Sequence, residues 1–187
     1  MDRTLQLWLA DAGGQAALAA NGWDGALHPE PEADFVAVVD ANLGYNKVDA
    51  ALQRSLDYSV TWPGGPAAPA LAALTVTYTH TATTEDPVCD PRPRYGDTYA
   101  DLVGRCAFLY TRVYVPGGSQ LLGIDGVDQT TAGSQLGEAG ATEFAAFQIL
   151  PPGETRSIVY RYQLPAGITP ESYRQRCSAR PGSHRCR

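Results

Sequence analysis

Four polar side chains fall within eight residues at the end of an apolar run: Asp40, Asn42, Asn46 and Lys47, in DFVAVVDANLGYNK at residues 34–47. A carboxylate, two amides and an ammonium group delivered together can do one of two things. They can satisfy the backbone of a tight corner, as Asx side chains commonly do, or they can form a preformed binding site for an anionic or hydroxyl-rich ligand. Lys47 is the only lysine in a chain whose other basic residues are arginines. The first alternative expects Asp40 and Asn42 to bond backbone N–H groups within the corner. The second expects Lys47 to point into a concavity beside Asp40 or Asn46.

Other groups carry weaker chemical signals. Asp86 with Asp90, Asp97 with Asp101, and Asp125 with Asp128 are carboxylate pairs of the kind that can hydrolyse a glycoside when separation and environment suit. Each lies among turn residues, where acidic side chains serve solubility and turn-making. The stretches DANLGYN and GIDGVDQTTAG are rich in oxygen ligands, but neither has the regular spacing of a calcium loop. His28, His80 and His184 fall in a loop, at a strand end and in the tail, and nothing in their spacing brings them to a Ser-His-Asp or metal site. His80 ends a strand face that is otherwise apolar, so backbone or water is expected to satisfy it. Gly117-Gly118 follows a proline and precedes no helix, which makes it a turn rather than a phosphate cradle. No catalytic residue, metal ligand or cofactor is assigned. Tyr45, Tyr95, Tyr99 and Trp23 are the aromatics in loop contexts, available in principle to stack on a sugar; most others sit at core-facing strand positions.

The cysteines are Cys89, Cys106, Cys177 and Cys186, with no CxxC pair among them, so zinc-ribbon and thioredoxin-type chemistry are not indicated. Cys89 and Cys106 bracket a polar, proline-rich segment. A disulfide is expected there in an oxidising compartment, the alternative being two reduced structural thiols. Closing a loop of that size stabilises by roughly 3 kcal/mol in the chain-entropy model.

These groups must be positioned by a chain of 187 residues, 44% hydrophobic and 18% charged, which 19 glycines and 14 prolines punctuate into short pieces. That composition favours strands and turns over long helices. Phe35, Val36, Val38 and Val39 form a β-branched run suited to a strand at the centre of a sheet. Leu5, Leu7 and Leu9 alternate with Thr4, Gln6 and Trp8 over Thr4–Ala10, which predicts a strand with one strongly apolar face. Asp11 and Asn21-Gly22 then bound a short helix. The cleanest period-two patterns are Leu56–Trp62 and Leu74–His80, a hairpin across PGGPAAP. Thr98–Gly104 allows one helical turn. Arg105–Val115, Gln120–Ile124, Thr142–Leu150 and Thr155–Leu164 complete a set of short strands that indicates a two-sheet, immunoglobulin-like β-sandwich. The expected organisation is a strand and short helix packed on the sandwich over 4–33, the sandwich itself over 34–166, and a disordered basic tail over 167–187.

Residues 1–170 carry Lys47 and eight arginines against nineteen carboxylates, a charge of −10, whereas 171–187 carry five arginines against Glu171, a charge of +4. The acidic body argues against nucleic-acid binding, which needs a basic surface. No stretch approaches the roughly 20 apolar residues of a membrane span, and the first residues lack a signal-peptide layout.

DFVAVVDANLGYNKVDAALQRSLDY, with LQLWLADAGGQAALAANGWDG upstream and VCDPRPRYGDTYADLVGRC and RVYVPGGSQLL downstream, resembles the large bacterial surface proteins catalogued as domain of unknown function 4012, over about residues 4–165. The resemblance implies an extracellular or cell-surface location, with any membrane contact made through a region outside this chain. It implies no activity. The expectation is a structural or interaction module, with envelope glycan or other surface proteins as partners. The alternatives are part of an envelope glycan-processing enzyme, or a carbohydrate-binding module. Where those proteins continue past the equivalent of Tyr173, this sequence loses its pattern, so Cys177 and Cys186 are given no native role.

Overall fold

The computed structural model describes residues 7–27, 29, 33–93, 95–171, 173 and 175–178, and shows two β-sheets packed face to face. In chain order the elements are α1 (Ala12–Ala20), β1 (Asp34–Asn42), β2 (Leu52–Thr61), β3 (Leu71–His80), α2 (Tyr99–Val103), β4 (Ala107–Val115), β5 (Gln120–Asp125), β6 (Gly133–Leu136), β7 (Thr142–Leu150), β8 (Thr155–Gln163) and β9 (Gln175–Ser178). One sheet has the order β6-β7-β4-β1-β9 and the other β2-β3-β8-β5. The fold is the mainly β, two-sheet sandwich that the alternating patterns predict, with a short helix near the N-terminus. Among the described strands, only β2 with β3 and β6 with β7 are sequential neighbours in one sheet; the other connections cross between sheets. The β1–β2, β3–β4 and β7–β8 connections therefore meet at one end of the sandwich, because Asn42 pairs near Leu109, Leu52 opposite His80, and Ala107 opposite Leu150.

Period-two patterning decides what is buried. Val36 and Val38 of β1, Leu109, Val113 and Val115 of β4, and Phe144, Ala146 and Leu150 of β7 face Leu74, Val76, Tyr78, Ile158, Tyr160 and Tyr162 of the other sheet. A tilted contact between the Phe144 and Tyr162 rings, with centroids 5.2 Å apart, joins the two sheets in this core. The opposite face of β1 is covered differently. Ala37, Tyr114 and Ala141 pack there with Phe35 and with Leu27 from the segment after α1, which is how the N-terminal region docks. Asp11 caps α1 by accepting from the Gly14 N–H at 2.7 Å, and Gly22 follows the helix at φ 66°.

Three sequence expectations change. Residues 7–10 are not in a strand: Leu7 and Leu9 are exposed, and the Leu7 N–H bonds the Trp23 carbonyl at 2.9 Å. Alternation alone cannot make a strand without backbone pairing to a neighbour; Thr4–Gln6 lie outside the described residues. Between the strands expected at Gln120–Ile124 and Thr142–Leu150 the structure adds β6, an exposed edge strand held by backbone pairing to β7, which needs no apolar pattern. The tail expected to be disordered from 167 is structured in its described part. Ile168 is buried, the Tyr173 ring meets Trp62 edge-on at 5.3 Å, and β9 pairs in parallel with Asp34–Ala37. Residues 179–187 lie outside the described residues.

Asp34 opens β1 on its core-facing side and is fully buried. Its Oδ2 accepts from the Tyr58 hydroxyl at 2.8 Å and from the Tyr173 hydroxyl at 3.1 Å, while Tyr162 donates to the Tyr58 oxygen at 3.2 Å. Burial pushes the Asp34 carboxyl above its ordinary value of 3.8, against the opposing pull of the Tyr58 and Tyr173 hydroxyls and the Phe35 amide. A carboxyl whose folded value is raised contributes stability that is fully present below its unfolded value and is lost as pH rises through the folded one. Asp34→Asn keeps an oxygen acceptor for both tyrosines and removes the ionisation. The expected outcome is that the stability of wild type relative to Asp34→Asn falls as pH rises from below 3.8 toward neutrality. Urea denaturation of the two proteins across that range checks it; a difference independent of pH overturns the assignment.

Candidate functional site

The polar corner is formed where β1 leaves its sheet. Asn42 Oδ1 accepts from the Gly44 N–H at 3.1 Å and from the Phe108 N–H of β4 at 3.3 Å, and Asn42 Nδ2 donates to Asn46 Oδ1 at 2.6 Å. Asn46 in turn donates to the Cys106 carbonyl at 3.0 Å. The two amides thus clamp the corner to the first residues of β4. Gly44 is buried inside the clamp, where a Cβ would lie 2.6 Å from Asn46 Nδ2 and 2.7 Å from Phe108 Cδ2. Only glycine fits there without displacing one of them.

Asp40 does something else. It lies on the core-facing side of β1 two residues earlier, and its carboxylate forms an ion pair with Arg54 of β2 and accepts from the Tyr78 hydroxyl of β3 at 2.5 Å. Thr111 sits 2.9 Å from that hydroxyl. With the Tyr78 proton committed to Asp40, Thr111 is the donor. Burial, followed by the Asp40 charge and hydrogen bond, drives the Tyr78 hydroxyl well above its ordinary value, so it stays protonated as a donor. Lys47 is exposed; its backbone N–H bonds the Leu102 carbonyl of α2 at 3.1 Å. The four candidate residues therefore separate into an amide clamp of Asn42 and Asn46, a cross-sheet ion pair at Asp40, and a solvent-facing Lys47. The expectation that Asn42 bonds corner backbone holds. The same expectation for Asp40 does not, because Arg54 and Tyr78 approach it from the other sheet.

The Cys89–Cys106 disulfide is formed, with Cα atoms 4.9 Å apart. It ties the long β3–β4 connection to the start of β4, next to the carbonyl that Asn46 engages. Arg105, buried beside it, pairs with Asp97, and its carbonyl meets His80 Nε2 at 2.8 Å while His80 Nδ1 accepts from the Ala82 N–H at 3.3 Å. His80 is a strand-end residue satisfied by backbone, as its position suggests. His28 and His184 lie outside the described residues.

Comparison with protein-family models, curated proteins and solved structures finds no match.

Of the paired carboxylates, Asp90, Asp97, Asp101, Asp125 and Asp128 are divided among structural tasks, and Asp86 lies in an exposed bend at φ 50°. Asp97 pairs with Arg105 whereas Asp101 completes a capping box with Thr98, accepting from its backbone N–H at 2.9 Å. Asp125 pairs with Arg161 whereas Asp128 accepts from the Thr130 N–H at 2.9 Å. Asp90 holds Arg92 at 2.7 Å. Among the described residues no group of three or more His, Cys, Asp or Glu side chains is placed to hold a metal ion. Tyr45, Tyr95, Tyr99 and Trp23 are exposed, as their loop contexts indicate.

Sequence reasoning missed the cross-sheet ties. A signal was present: Arg54 shares strand parity with Leu52, Leu56 and Tyr58, and Asp34 and Asp40 share it with Val36 and Val38. A charge in phase with a buried face calls for a partner on the opposite sheet.

The clamp yields a direct expectation. Asn42→Ala leaves the Gly44 and Phe108 N–H groups without their acceptor and should destabilise the fold by about 1–3 kcal/mol, the range for partly buried unsatisfied donors. Lys47→Ala, at an exposed site, should stay within about 0.5 kcal/mol of wild type. Denaturant titration of both variants measures the contrast; equal small effects would remove the clamp from the account.

Proposed function

We propose that the chain is a non-enzymatic structural or interaction module of a bacterial cell-surface protein. The observation that carries this reading is the disulfide between Cys89 and Cys106, holding a polar surface loop on a two-sheet sandwich. Disulfides persist in oxidising compartments and are rare in the cytosol. The resemblance to domain of unknown function 4012 points the same way. Against a role in envelope glycan processing stands the engagement of Asp97, Asp101, Asp125 and Asp128 with separate structural partners, which leaves no pair of them turned to one substrate.

Lys47 provides the test, since it is the only lysine, it is exposed, and amine reagents that cannot cross a membrane will reach it only from outside. In intact cells of the bacterium that encodes the protein, such a reagent should label Lys47, and peptide mapping without reduction should recover Cys89 linked to Cys106. Labelling that requires lysis, together with reduced thiols at both cysteines, would overturn the location and the reading built on it.

A further inference from the structure

The end of the sandwich where the β1–β2 and β3–β4 connections meet is built more rigidly than its core contribution requires. The described residues of 81–98 carry no helix or strand, and loops longer than about 12–15 residues without regular structure are uncommon in compact domains and usually functional or disordered. This one is fastened repeatedly. The disulfide holds Cys89, the Cys106 N–H bonds the Val88 carbonyl at 3.3 Å, buried Arg105 holds Asp97, and the Thr98–Asp101 capping box starts α2. Two of the three non-glycine residues with positive φ among those described also lie here, Tyr45 at 48° and Asp86 at 50°. Left-handed backbone at such residues is costly and collects at binding sites.

What this framework presents is aromatic. Tyr95, Tyr45 and Tyr99 are 97%, 72% and 62% exposed. The corner carrying Tyr45 meets α2 through the Lys47 N–H, which bonds the Leu102 carbonyl one helical turn from Tyr99; α2 also packs on the turn at Val48–Ala51 that follows the corner, and Tyr95 precedes the Thr98 cap of α2 by three residues. Exposed Asp49 and Asp101 stand on the same two elements, and the Thr98 hydroxyl and amide hold the Asp101 carboxyl below its ordinary value, so it stays charged. Tyrosine side chains, with two rotatable bonds, bind with little loss of side-chain freedom, and their faces attract cations.

Building on the interaction-module reading above, we propose that the face formed by Tyr45, Tyr95 and Tyr99 with Asp49 and Asp101 binds a polypeptide segment carrying arginine or lysine side chains. Charge complementarity selects this partner. The body of the chain carries −10 and steers cations toward it, the rings receive guanidinium groups by stacking and cation–π contact, and the carboxylates pair with them. Exposed Lys47, on the same corner as Tyr45, opposes such a ligand.

The test uses the full chain and defined probes: acetylated, amidated peptides of alternating glycine and arginine, the lysine and glutamate counterparts, and maltohexaose as a neutral glycan. Titration calorimetry and amide-resonance mapping should show the arginine peptide binding at the three tyrosines, more weakly as salt rises. Tyr99→Ala and Tyr45→Ala should each lower affinity about fivefold, the equivalent of one exposed cation–π contact, at unchanged melting temperature. Lys47→Ala should raise it. Equal binding by the triple variant Tyr45→Ala, Tyr95→Ala, Tyr99→Ala would reduce the effect to general attraction by an acidic body and overturn the proposal. So would preference for the glutamate peptide, no binding at all, or binding of maltohexaose in place of the peptides, the last of these reassigning the face to glycans. Surface labelling of Lys47 in cells is independent of all these outcomes, so a failed titration leaves the location standing.

Discussion

Strand β1 turns a carboxylate toward the interior at both of its ends, and neither can be buried without a partner. Asp34 is met by the hydroxyls of Tyr58 and Tyr173, and Asp40 by Arg54 and Tyr78. Tyr58, Arg54 and Tyr78 belong to the opposite sheet. Apolar contact between two sheets is non-directional and tolerates sliding, whereas these bonds fix where β1 lies over β2 and β3. The two solutions differ with depth. At Asp40 both side chains of the ion pair keep some solvent contact, 20% for Arg54 and 23% for Asp40, so the desolvation cost of pairing is moderated. At Asp34, fully buried, neutral hydroxyl donors and a raised carboxyl value replace the ion pair.

The same strand controls the loop end. Where β1 stops, Asn42 and Asn46 bind the corner to Phe108 and to the Cys106 carbonyl, and Cys106 is bonded through sulfur to Cys89. The corner and the long connection are thus joined through one residue, by a hydrogen bond on its backbone and a covalent bond on its side chain. His80 and Arg105 extend the junction to the end of β3. Order in a segment with little apolar content has to come from such local ties, since it buries too little surface to offset its conformational entropy.

The strands were legible because period two is a strong signal wherever one face is buried: β2, β3, β4, β7 and β8 fall where the alternation of their residues puts them. The disulfide could be anticipated from the proline-rich segment between Cys89 and Cys106. What the sequence concealed depends on the other sheet or on backbone alone. β6, Gly-Ser-Gln-Leu, and β9 have no apolar pattern and exist through pairing to β7 and β1. The division of Asp40 from Asn42 cannot be read from adjacent polar positions, because it is decided by Arg54 and Tyr78, fourteen and thirty-eight residues away. Conversely, Leu5, Leu7 and Leu9 display a strand pattern, yet Leu7 and Leu9 are not in a strand, because alternation reports a possible face and not the presence of a neighbour.

How the sheet edges are built bears on where a partner can dock. An unprotected edge strand invites pairing with another chain, and natural sheets blunt it with short strands, bulges or inward-pointing charges. In the first sheet the edge strands β6 and β9 span four residues each. In the second, β5 is interrupted by a register shift between Leu121 and Gly123. The remaining edge, β2, is ten residues long, but it points Arg54 inward to Asp40 and Asp57 outward to solvent. A strand added there would lie against a charge on each face of the sheet. Strand addition is therefore opposed at each edge of the described sheets by a separate device, while the loop end carries exposed rings on a cross-linked frame. Recognition by side chains at that end, rather than by backbone along an edge, is the mode that the proposed binding face would use.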